Sequence, residues 1–184
     1  MAEQIFISFS VILLAVVFLS SGVAKIRSVD TLEGVVQNFR VLPARLARPF
    51  ALVLPPAEIA IAAALAVPAT RAYGAAAATA LLLIFTVEIA INLARGRREI
   101  DCGCFSSTLK QTLNGWLVVR NAFLAVCSTA LAATAWTEVA PSWADWLLGA
   151  LSVGFVICIY LTATTLTSNT STVAQRRAIA AGNF

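Results

Sequence analysis

Five long runs, each almost wholly apolar, divide the chain: residues 5–24, 50–67, 73–94, 116–136 and 146–166. A helix crosses a hydrocarbon layer about 30 Å thick with roughly 20 residues, because each residue rises about 1.5 Å. The pattern therefore predicts an all-α integral membrane protein, a bundle of five transmembrane helices over residues 1–166, with a polar C-terminal tail over 167–184. The second run is the weakest, since Pro55, Pro56 and Glu58 interrupt it. Residues 28–48 mix apolar and charged positions and predict a short helix lying on the membrane surface. Trp116 and Trp136 sit at the two ends of the fourth run, roughly 30 Å apart along a helix, as Trp does at membrane–water interfaces. Trp143 and Trp146 mark the start of the fifth run at the same interface as Trp136.

Composition agrees. Of 184 residues 60% are hydrophobic and 12% charged, against about 25% charged in an average soluble domain, and the mean hydropathy is +0.88. So little charge cannot cover a water-facing surface, which excludes a soluble domain and a disordered chain. The net charge of +4 is not gathered on a soluble face, so no nucleic-acid partner is expected; the partner is the lipid bilayer. With no His in the chain, histidine acid–base catalysis and His metal sites are excluded. The first run lacks the basic N-terminal flank of a signal peptide, carrying Glu3 there instead, and is expected to stay in the protein.

Lys and Arg set an expected orientation. Eleven of them fall in the connections after the first and third runs and in the tail, against Arg71 alone on the other side. Cytoplasmic loops carry the basic excess, so the N-terminus is expected outside and the C-terminus inside.

The sharpest candidate for chemistry is Asp101-Cys102-Gly103-Cys104-Phe105, in the connection before the fourth run. Glycine lets the backbone bend enough for Cys102 and Cys104 to bond. So small a ring departs from relaxed disulfide geometry, and strained, exposed disulfides are the labile and catalytic ones. Arg97 and Arg98 favour a thiolate and Asp101 opposes it. The alternatives are two unrelated loop cysteines, or a zinc site, for which two further ligands are lacking. Cys127 and Cys158, near the middle of the last two runs, read as small core residues, or as a relay for oxidising equivalents through the bilayer.

Three ionisable residues lie at or near membrane depth: Glu58, Glu88 and Arg120. Such groups normally face the interior of a bundle. Glu88 and Asn92 are one helical turn apart and share a face. A Glu88–Arg120 pair would neutralise both, with a structural role or one in proton movement. The run Ala75-Ala76-Ala77-Ala78 predicts close helix packing. No phosphate loop, nucleotide fingerprint or haem-attachment pattern is present.

Residues 92–105 (NLARGRREIDCGCF) and 116–121 (WLVVRN) resemble the methylamine utilisation protein MauE family. Residues 21–26 (SGVAKI) and 54–58 (LPPAE) resemble the wider DoxX-related membrane group. The resemblance covers nearly the whole chain to residue 166. It implies a five-span protein of the bacterial inner membrane, needed to mature the exported, disulfide-rich small (β) subunit of methylamine dehydrogenase. It implies a thioredoxin-like partner of the MauD type, with Cys102 and Cys104 as the catalytic thiols. The bundle resembles vitamin K epoxide reductase-type thiol enzymes, but Cys-x-Cys stands in place of Cys-x-x-Cys. No cofactor is expected, and a quinone is left unsupported.

Three functions follow as expectations: a membrane thiol–disulfide oxidoreductase, a non-catalytic docking or assembly factor, and a small transporter using Glu58 and Glu88. The charge count puts Cys102 and Cys104 on the cytoplasmic side, while the subunit's disulfides form outside. Electrons then cross the bundle, or the connection re-enters the membrane, or the charge rule fails.

Overall fold

The computed structural model describes residues 2–39, 41, 43–96, 115–134 and 142–158. They form α1 (Ala2–Ile26), α2 (Val29–Phe39), α3 (Ala44–Ala66), a 3-10 turn (Pro68–Thr70), α4 (Arg71–Ala94), α5 (Gly115–Thr134) and α6 (Trp143–Cys158). There is no strand among the described residues. Helices α1, α3, α4 and α5 are each long and apolar enough to cross a membrane, and α6 is a shorter apolar helix. Each expected span thus falls on a helix. The expected ends at residues 136 and 166, and the tail over 167–184, lie outside the described residues.

The distribution of side chains is that of a protein whose solvent is lipid. Leu52, Val53, Leu83, Val126 and Phe155 point outward and are more than half exposed. Inside, an apolar cluster built on Ile7, Leu14, Phe18, Leu65, Leu82 and Leu131 shares the bundle with buried Ser8, Ser10, Lys25, Glu58, Asn92, Asn121 and Ser128. Lipid offers no partner to a polar side chain, so such groups turn into the bundle, toward one another or toward backbone carbonyls.

Small residues bring the helices together. Ala75 and Ala78 of α4 are fully buried, and Ser128 of α5 donates its hydroxyl to the Ala75 carbonyl at 2.7 Å. A Cβ on Gly74 would lie 2.9 Å from the Leu65 backbone nitrogen of α3, and one on Gly149 of α6 would lie 2.9 Å from Ser8 Cβ of α1. The expected close packing at the alanine run is therefore present, and Gly149 makes a second close approach, between α6 and α1.

Helix α3 begins at Ala44 rather than residue 50 and runs unbroken through Pro49, Pro55 and Pro56. Each proline removes one backbone hydrogen bond and crowds the preceding turn; packing against neighbouring helices holds the segment helical here. Helix α2 supplies part of it. Leu32 and Val36, one turn apart, pack on Ala47, Ala51 and Leu54 of α3, while Glu33 on its outer side pairs with Arg48 at 3.3 Å. The short amphipathic helix expected within residues 28–48 is this α2.

The helix ends follow local chemistry. Gly96, at φ 73°, takes the left-handed position that ends α4, its N–H bonded to the Leu93 carbonyl at 3.0 Å. Ser142 and Asp145 cap α6 reciprocally: the Ser142 backbone N–H donates to Asp145 Oδ2 at 2.8 Å, and the Asp145 N–H donates to Ser142 Oγ at 3.4 Å. Near that end Arg71 donates Nε to the Leu65 carbonyl at 3.2 Å and lies 5.9 Å from the Trp146 ring centroid.

Candidate functional site

The polar interior is built from the contact between α1 and α3. Gly22 has no side chain where one would collide: a Cβ there would lie 2.8 Å from Ile59 Cγ1 and 3.0 Å from the Pro55 carbonyl oxygen. The close approach brings Ser21 and Lys25, four residues apart and so on one face of α1, against Glu58 of α3. Lys25 Nζ donates to Glu58 Oε1 and forms an ion pair with it. Ser21 Oγ donates to the same oxygen at 3.3 Å. Lys25 and Glu58 are 5% and 1% exposed, so neither charge is answered by solvent. The Phe85 ring of α4 lies 5.0 Å from Lys25 Nζ and adds a cation–π contact.

Two cavities flank this pair. One, of about 40 Å³, lies among α1, α2, α3 and α4 and is lined by Lys25, Phe39, Phe50, Leu54, Phe85 and Glu88. The other, of about 30 Å³, lies among α1, α3, α4 and α5 and is lined by Phe18, Ser21, Glu58, Leu82, Arg120 and Asn121. Both lie toward the end of the bundle where α4 finishes and α5 begins, since Lys25 is in the last turn of α1 and Arg120 and Asn121 are early in α5.

The residues singled out from the sequence are distributed as follows. Glu58 is at the centre of the site. Glu88 is half-buried and lines the first cavity. Asn92 is fully buried and donates Nδ2 to the Glu88 carbonyl at 3.0 Å, so the two share a face as their spacing requires. Arg120 lines the second cavity and donates to Asn121 Oδ1 at 3.5 Å. The expected Glu88–Arg120 pair does not form: among the described residues the ion pairs are Lys25–Glu58 and Arg48–Glu33, and Glu88 and Arg120 line different cavities. Cys127 is buried and Cys158 exposed. Asp101, Cys102 and Cys104 lie outside the described residues.

Ser21, Lys25 and Asn121 were not foreseen as residues of the site. Lys25 stood in the charge count as a loop residue ending the first span, yet it is an interior ion-pair partner. Asn121 is 2% exposed and lines the second cavity. The available signal was Ser21-Gly22 followed by Lys25 one turn after Ser21, a small residue beside a lysine on one helical face, opposite a second apolar run carrying a single acid.

A bundle of long apolar helices with outward-facing hydrophobic side chains and an inward polar cluster defines a multi-pass helical membrane protein. Residues 3–136 match the family described as methylamine utilisation protein MauE, and the chain belongs to that family. It is 43% identical over 155 residues to the methylamine utilization protein MauE of Paracoccus denitrificans, covering 84% of this chain and 83% of that protein. It is 44% identical over 132 residues to the protein of that name from Methylorubrum extorquens, covering 72% and 71%. With the protein of that name from Paracoccus versutus it shares 40% identity over 153 residues, covering 83% and 82%. No solved structure matches the chain.

Proposed function

We propose that this protein is an accessory membrane protein of methylamine utilisation, seated in the bacterial inner membrane, that serves the maturation of the methylamine dehydrogenase small subunit by thiol–disulfide exchange. Family membership supports its place in methylamine utilisation. The sequence Cys102-Gly103-Cys104, in the connection between α4 and α5, is the one observation that carries the exchange chemistry. The N-terminus faces the periplasm and the C-terminus the cytoplasm, which puts Cys102 and Cys104 on the cytoplasmic side, so that two electrons cross the bundle for the exchange to reach the exported subunit. Moving Lys25 from the loops to the interior leaves ten basic residues against one, so the charge asymmetry still favours this orientation.

The exchange balances as follows. The Cys102 or Cys104 thiolate attacks one sulfur of a disulfide in a thioredoxin-like partner. A mixed disulfide forms and a partner thiolate leaves. The second cysteine, as thiolate, then attacks the mixed disulfide and releases the partner as a dithiol. Two electrons pass to the partner and a Cys102–Cys104 disulfide remains. Run backwards, the same steps oxidise the partner. In sequence the pair lies between Gly96, which ends α4, and Gly115, which begins α5.

The test is replacement of both thiols. Cys102→Ser/Cys104→Ser protein, expressed at the native level, is expected to leave the small subunit with unpaired cysteines, scored by mass after alkylation. Each single variant is expected to accumulate a mixed disulfide with the partner, seen as a reducible band. A fully matured subunit with the double variant overturns the exchange mechanism and leaves a docking role.

A further inference from the structure

We infer that the cavity among α1, α3, α4 and α5 is a built water site, holding water between Glu58 Oε2 and Asn121 Nδ2 inside the bundle. Glu58 and Asn121 are 1% and 2% exposed. Glu58 Oε1 is taken by Lys25 and Ser21, while Glu58 Oε2 and Asn121 Nδ2 have no protein hydrogen-bond partner among the described residues. One is an acceptor and the other a donor, they stand on different helices, and both residues line the same space. A carboxylate oxygen and an amide N–H left bare inside a protein are rare, and buried water is what ordinarily completes them. A water needs roughly 10–15 Å³ of such space and at least two polar partners; the cavity offers about 30 Å³, a donor and an acceptor.

The ligand chemistry is narrow. The occupant donates to the free oxygen of a carboxylate whose other oxygen is drawn on by an ammonium group, accepts from an amide, and is small. Water meets all three conditions. A metal cation cannot serve the amide, since Nδ2 has only hydrogens to donate. The first cavity differs: its walls are apolar apart from Lys25 and Glu88, and neither Glu58 nor Asn121 reaches it. Water at the second cavity gives Glu58, deep in an apolar bundle, a partner able to exchange protons.

Radiolytic labelling in H2(18)O tests this on the full chain in nanodiscs, because hydroxyl radicals made at bound water mark the side chains beside it. Leu82 and Leu124 line the cavity and are each 4% exposed; Leu65 and Leu131, each 0% exposed and lining neither cavity, are the buried controls. Leu82 and Leu124 are expected to take up label at least several-fold faster than Leu65 and Leu131. Asn121→Leu, which removes the donor and fills the space, is expected to bring them down to the control rate. Asn121→Ser keeps a donor and is expected to retain the labelling, which separates loss of water from loss of fold. Equal rates for all four leucines in the unaltered protein overturn the proposal, as does undiminished labelling in a folded Asn121→Leu variant.

Discussion

Lys25, in the last turn of α1, and Glu58, in the middle of α3, neutralise one another inside the bundle, each under a tenth exposed. Removing one partner of a buried pair leaves the other as an uncompensated charge, at a cost of about 3–5 kcal/mol, whereas replacing both with apolar groups is often near neutral. Lys25→Met and Glu58→Leu are each expected to lower unfolding stability in detergent by about that much. The double variant is expected to lose far less than the two together. Thermal unfolding of the four proteins as a cycle reads the coupling; simple additivity contradicts the pairing.

Gly22 predicts a steric signature. A methyl there meets Ile59 Cγ1 at 2.8 Å and the Pro55 carbonyl oxygen at 3.0 Å, and the second of these is backbone that moves only with its helix. Gly22→Ala is expected to destabilise by about 1–3 kcal/mol. Gly154 of α6 has nothing within 4 Å of its Cβ direction, so Gly154→Ala is expected to be neutral or to stabilise by up to about 1 kcal/mol. The two variants compared in one unfolding assay distinguish close packing from a general intolerance of helical change.

Ser128 makes a hydrogen bond between α5 and α4 at 2.7 Å. Interhelical side-chain bonds in membrane proteins contribute on average about 0.6 kcal/mol and at most about 1.7. Ser128→Ala is expected to fall in that range. Thr86→Ala, whose hydroxyl among the described residues bonds the Leu82 carbonyl within its own helix at 2.7 Å, is expected to change stability by less.

The proposed orientation predicts the side from which the cysteine pair is reached. After mild reduction, a membrane-impermeant thiol reagent added to intact spheroplasts is expected to leave Cys102 and Cys104 unmodified, and to modify them once the membrane is opened. Modification in sealed spheroplasts places the connection outside and reverses the orientation.

The helices were legible because lipid imposes a length and an apolarity that few other settings require. The site was legible only in part. Glu58 stood out as an acid in an apolar run, and Glu88 and Asn92 were placed on one face by their spacing. That spacing fixes a face within one helix, but not how two helices are turned toward each other, so the Glu88–Arg120 pair was a guess at an unknown rotation. Lys25 was misplaced for a related reason: a lysine closing an apolar run reads as an anchor at the interface unless its acid is known to stand opposite. The early start of α3 was hidden because residues 44–49 (ARLARP) look like a charged loop; their helix rests on α2, which is a tertiary effect. Pro55 and Pro56 looked like an interruption because a proline's local cost is visible in sequence and its neighbours' compensation is not.

Where Gly149 lets α6 touch α1 at Ser8, a segment made earlier meets one made later. Ser8 and its neighbours therefore wait in lipid for their final cover until α6 has been made, although α1, α3, α4 and α5 already meet around Glu58 and Asn121. A chain cut short before α6 would keep that four-helix contact and leave the Ser8 face of α1 bare to lipid.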